Sequence, residues 1–216
     1  MKRLQLIWLV LRRNRLLTVL PAVVAWVLIP YSALSAAAEY DLAEGGYSFI
    51  YACQMMLPIC TILWPMAYLH NWVEGDGTEA LRACDRYHKS CFVEVALFYA
   101  MMALLMLPTM LVGVEVFQLS WLEYGRLLLQ CFSVAGAFYF CVMLCGNVTI
   151  GAIPVIGYMF FCIAIANEPD LAYMSIIEPN RIAEKANWSM LLTVTVVCAG
   201  LTAVGYALDR MRKRMF

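Results

Sequence analysis

The side chains of this protein that can do chemistry gather in one short stretch. It reads His70-Asn71-Trp72-Val73-Glu74-Gly75-Asp76-Gly77-Thr78-Glu79-Ala80-Leu81-Arg82-Ala83-Cys84-Asp85-Arg86-Tyr87-His88-Lys89-Ser90. His70 and His88 are the only histidines. With Glu74, Asp76 and Asp85 they offer imidazole beside carboxylate, the pairing that general acid–base work uses. A metal centre would need tighter clustering than His70, Cys84, His88 and Cys91 provide, so no metal site is expected. The same stretch carries a second chemistry, that of docking. Gly75 and Gly77 allow a sharp turn, and Thr78 can N-cap a short helix starting at Glu79. Ala80, Leu81, Ala83 and Cys84 would give that helix a small apolar face, and Glu79, Arg82, Asp85 and Arg86 a charged one. Such a knob suits a groove on a partner protein.

Elsewhere the candidates are sparse. Glu94 lies near the end of an apolar run, where a carboxylate facing lipid is costly. It either snorkels or pairs with Arg82, Arg86 or Lys89, or else it gates a pathway. Gln54 and Gln130 are polar positions inside apolar runs, and such residues bond neighbouring helices more often than they touch cargo. Of nine cysteines, Cys53, Cys60, Cys131, Cys141, Cys145, Cys162 and Cys198 fall in apolar runs, and Cys84 and Cys91 in or beside the polar stretch. They read as small packing residues rather than disulfides. No His-Glu-x-x-His occurs, and no G-x-x-x-x-G-K-[ST] phosphate loop. No residue is assigned a catalytic role, and the chain is expected to hold no cofactor of its own.

The elements that must position these residues are set by where charge is missing. No Asp, Glu, Lys or Arg occurs in 23 residues after Arg15, 29 after Glu44, 20 after Glu94, 41 after Arg126 and 23 from Ala186 to Leu208. A bilayer core takes about 20 apolar residues of helix. Four runs hold one crossing each and the 41-residue run holds two. The expectation is an all-α polytopic membrane protein forming a single transmembrane domain over 1–216. Its six transmembrane helices are placed at 16–38, 47–70, 91–113, 125–145, 150–167 and 189–208. Pro21 and Pro30 should bend the first. Gly146, Asn147 and Gly151 mark a tight turn. A composition of 64% hydrophobic and 14% charged residues excludes an ordinary soluble domain.

Residues 1–15 read as an amphipathic helix. Leu4, Ile7, Trp8 and Leu11 recur at helical spacing, and Lys2, Arg3, Arg12, Arg13 and Arg15 supply positive charge. Such a helix lies in the membrane interface, or it lengthens the first span. The N-terminal stretch reads as retained rather than as a cleaved signal. Residues 168–188, with Pro169, Pro179 and the apolar Leu171–Ile177, form either a re-entrant segment or a solvated loop. Twelve of the 15 basic residues fall on one side of the predicted topology; nine acids share the other side with Arg126, Arg181 and Lys185. The positive-inside rule then makes both termini and the 71–90 segment cytoplasmic, in a cell inner or plasma membrane.

With those residues in view, the chain resembles the permease subunits of ABC-2 type transporters, in particular small permeases of peptide-antibiotic export and immunity systems. The resemblance rests on a stretch between spans two and three likened to E-x-x-x-G-T-x-E-x-L, where this chain has the more closely spaced Glu74-x-x-Gly77-Thr78-Glu79-x-Leu81, then Arg86. The elbow helix (Lys2, Arg3, Trp8, Arg12, Arg13), six spans, cytoplasmic termini and a long segment between spans five and six extend it over the whole chain. The family's usual Pro after the coupling helix is absent, with Asp85-Arg86-Tyr87 in that region. The resemblance implies a dimeric exporter pathway, homo- or heterodimeric, for an amphipathic or hydrophobic cargo such as a peptide, a lipid-like molecule or a drug. ATP and Mg would sit on a separate ATPase subunit, which the segment around Glu74, Gly77, Thr78, Glu79, Leu81, Arg82 and Arg86 would contact. Membrane lipid is a further expected partner and nucleic acid is not. Two other readings stand beside this one: an intramembrane lipid-modifying enzyme using His70, Glu74, Asp76, Asp85 and His88, and a non-catalytic membrane scaffold.

Overall fold

Runs this apolar can exist in a bilayer only if their backbone polar groups are closed internally, which here means helices. The computed structural model describes residues 2–74, 91–165, 175–178, 183 and 186–212, and among them there is no strand. The helices are α1 (Lys2–Arg13), α2 (Arg15–Val23), a π-helical turn (Val24–Leu28), α3 (Ile29–Glu39), α4 (Leu42–Val73), α5 (Phe92–Phe117), α6 (Trp121–Cys145), α7 (Val148–Ile165) and α8 (Trp188–Arg212). Counting α2 to α3 as one, six of them are long and apolar enough to cross a membrane. That is the number the charge-free runs require, and it fits a multi-pass membrane protein.

Asn14 leaves helical geometry (φ −105°, ψ 59°) and separates α1 from the first span. The Thr18 hydroxyl donates to the Leu11 carbonyl across this break at 2.7 Å. The apolar stripe of α1 is divided: Ile7 and Leu11 are buried in the core, whereas Trp8 stays 65% exposed. Pro30 follows a π-helical turn in the first span. At the π-helical turn the Ile29 N–H reaches back five residues to the Val24 carbonyl. In that register the next donor, residue 30, would serve Ala25, but Pro30 has no N–H. The buried Thr109 hydroxyl on α5 supplies the missing bond to the Ala25 carbonyl at 3.0 Å. Trp26 Nε1 donates to the Leu105 carbonyl at 3.0 Å, a second tie to α5.

Two connections are shorter than the charge pattern predicts. Residues 39–46 are expected as a loop, yet α4 already begins at Leu42, with Asp41 accepting the Glu44 N–H at 2.8 Å as its N-cap. Gly45 lets α3 lie against α4 there: a Cβ on Gly45 would stand 2.6 Å from Ala37 Cβ. Residues 114–124 are expected as a connection, yet α5 runs to Phe117 and α6 starts at Trp121. Phe117 stays helical by packing on Phe49, ring centroids 5.7 Å apart. Gln118 then takes left-handed geometry (φ 53°), and the Ser120 hydroxyl caps α6 by accepting the Leu122 N–H. The Gly146 turn is tight: Gly146 adopts φ 68°, and Asn147 Oδ1 accepts the Ile150 N–H at 2.8 Å. Gly151 lets α7 touch α6, since a Cβ there would meet the Val142 backbone nitrogen at 2.7 Å.

Helices α4 and α6 form the centre. The most apolar stretch of each is 67% and 61% buried, against 28% for the first span and 22% for α8, which lie at the periphery. The bundle has two ends, named here by the Ser120 cap and the Gly146 turn.

Candidate functional site

At the Gly146 end, Glu74 follows the last turn of α4. One carboxylate oxygen accepts the Val148 backbone N–H, and the other pairs with His70 Nδ1 at 2.8 Å. Val148 is the first residue of α7, whose leading N–H groups have no helical partner, so an anion is stabilised there. Glu74 therefore ties the end of α4 to the start of α7. His70 is exposed and borders this link. Gly77, Thr78, Glu79, Leu81, Arg82 and Arg86, as well as Asp76, Asp85 and His88, lie outside the described residues. On the same end, buried Asp209 of α8 accepts the Cys91 N–H at 3.1 Å and so caps the start of α5. Glu94 is buried in the first turn of α5. Arg12 and Arg13 are exposed on α1, the helix that also carries Lys2, Arg3 and Trp8.

The Ser120 end holds a buried polar cluster. Glu123, Arg126 and Gln130 follow at helical spacing on α6 and are each at most 1% exposed. Gln54 on α4 is equally buried. Arg126 Nη2 donates to both the carboxylate (3.2 Å) and the carbonyl (3.1 Å) of Glu178. Its Nη1 faces Glu123 Oε2 at 3.7 Å. Gln54 Oε1 accepts the Glu178 N–H at 2.9 Å, and Gln130 Nε2 donates to the Ile176 carbonyl. Glu123 accepts the Ala183 N–H, and Glu178 accepts the Asn187 N–H at 3.1 Å. Ser175, Ile176 and Ile177 are buried too, with the Ser175 hydroxyl closing on Ile177.

Of the residues singled out from sequence, Gln54 and Gln130 are thus brought together, but on the backbone of residues 176–178 rather than on a neighbouring helix. Residues 175–178 pack into the bundle, where a solvated loop stood as one expectation. In the sequence, Arg126 and the acids Glu123 and Glu178 stand out only as charges marking one side of the topology. The spacing Glu123-x-x-Arg126-x-x-x-Gln130 was the available signal, because it stacks three polar groups on one helix face. Among the described residues the cysteines are thiols, with Cys53, Cys60, Cys91, Cys131, Cys162 and Cys198 buried, and no three His, Cys, Asp or Glu side chains converge as a metal site would require. No family model, no curated protein and no solved structure matches this chain.

Proposed function

We propose that this chain is the permease subunit of an ATP-driven, ABC-2 type exporter, dimeric and coupled to a separate ATPase. Both termini and the Gly146 end face the cytoplasm of a plasma or inner membrane. The observation that carries the reading is the Glu74 link, together with the six-helix frame. The carboxylate that opens the Glu74-x-x-Gly77-Thr78-Glu79-x-Leu81 stretch is bonded to the first N–H of α7. Displacement of the following segment by an ATPase would therefore pull on α7 directly, as well as on α4. ATP and Mg belong to the partner, since the chain has no phosphate loop. The exposed apolar faces of the first span and α8 are available to lipid and to a second permease subunit. An amphipathic or hydrophobic cargo suits spans with so few charges.

The test is uncoupling. Glu79→Lys and Leu81→Trp should leave membrane insertion intact while transport is lost and nucleotide hydrolysis no longer responds to cargo. Transport and ATPase association unchanged in both variants would remove the coupling assignment. It would move the weight to a membrane enzyme built on the His70–Glu74 pair, or to a scaffold.

A further inference from the structure

At the Ser120 end the bundle holds residues 176–178 as a binding protein holds a peptide. Gln54, Arg126 and Gln130 read the Glu178 N–H, the Glu178 carbonyl and carboxylate, and the Ile176 carbonyl. Ile177 needs nothing from the helices, because its N–H and carbonyl both meet the Ser175 hydroxyl, at 3.0 and 2.8 Å. The side chains of Ile176 and Ile177 are buried.

Two further observations separate this from a plain structural stitch. First, the readers are not saturated: Gln54 Nε2 and Gln130 Oε1 are fully buried and have no partner. The orientation of each amide is set by the backbone group it already bonds. What remains free is therefore the Gln54 amide NH2 and the Gln130 amide oxygen, with Glu123 Oε2 as a second acceptor in the same cluster, donor and acceptor types that peptide groups pair with. Buried polar atoms of this kind are rare in a finished core. Second, Arg126 keeps one carboxylate nearby if Glu178 leaves. Glu123 stays beside Arg126 on the same helix at 3.7 Å, so withdrawal of Glu178 does not strand an uncompensated buried cation.

We propose that the cleft between the Ser120 ends of α4 and α6 is a recognition site for an extended peptide with an aliphatic pair followed by an acidic residue. The chain's own Ile176–Glu178 occupies it until such a peptide arrives. A short tethered segment competes at an effective concentration on the order of millimolar, so the internal occupant sets a threshold that only a matching peptide overcomes. This goes beyond the exporter reading and does not depend on an ATPase.

The test uses the full chain in nanodiscs and the labelled probe acetyl-Ser-Ile-Ile-Glu-amide. Hydrogen exchange on the unaltered protein should show faster exchange at residues 176–178 when millimolar probe is added. Glu178→Gln weakens the internal competitor and should bind the probe at least tenfold more tightly than the parent chain. A probe ending in Gln should bind that variant at least tenfold less tightly than the Glu probe. Exchange at 176–178 that ignores millimolar probe would overturn the proposal, even if the variant fails to fold. So would equal binding of the Glu and Gln probes.

Discussion

Arg126 is the residue whose environment constrains it most. It is 1% exposed and sits between two carboxylates and a carbonyl. Removing one member of a buried ion pair leaves the other charged and unpaired, at a cost of about 3–5 kcal/mol. Arg126→Met should cost about that in reversible unfolding followed in mixed micelles. A double-mutant cycle with Glu178→Gln should show strong coupling between the two sites; additive costs would mean that the pair does not interact. Thr109→Val tests a smaller debt in the same way. It strands the Ala25 carbonyl that Pro30 cannot serve, and should lower stability by about 1–3 kcal/mol. The difference between these residues in legibility has a physical source. A proline in an apolar run announces an unserved carbonyl. Arg126, by contrast, finds Glu178 at a separation of 52 residues, and no spacing rule reaches that far.

The elements were legible wherever burial alone decides them. Six apolar helices follow from the charge-free runs, because a bilayer span needs length and an absence of charge and little else. Their ends were less so. Glu44 and Glu115 look like loop residues, yet each is helical, because a single carboxylate near a helix end is tolerated and Gly45 and Phe117 have packing to gain. Gly151 and Gly157 make a matched pair for testing helix contact. A Cβ at Gly151 would meet the Val142 backbone, which cannot yield as a flexible side chain would. A Cβ at Gly157 would meet nothing within 4 Å. Gly151→Ala should therefore cost about 1–3 kcal/mol, as overpacking does. Gly157→Ala should be neutral or stabilising by about 0.5–1 kcal/mol, since glycine weakens a helix. Thermal midpoints of the two variants in the same detergent check this, and a similar response from both would mean that α6 and α7 do not touch there.

At the scale of the whole molecule, carboxylates join elements that are distant in the chain. Glu74 links α4 to α7 and Asp209 links α8 to α5 at the Gly146 end, while Glu123 and Glu178 fasten the segment before α8 at the other. These links would, under the exporter reading, carry a displacement of one helix to the helix bonded to it. Under the exporter reading, Glu74→Ala should reduce transport more than it reduces ATPase association, because it cuts the link to α7 and leaves the docking segment in place. Cargo flux and co-purification measured on the same preparation check that split; parallel loss of both would make Glu74 part of the docking surface itself. Purification of the tagged chain from its native membrane in nanodiscs, with identification of what accompanies it, tests whether it works with an ATPase. Under the exporter reading an ATPase subunit co-purifies and is lost on substitution across residues 78–86. A chain that arrives alone, with no associated ATP hydrolysis, would contradict it.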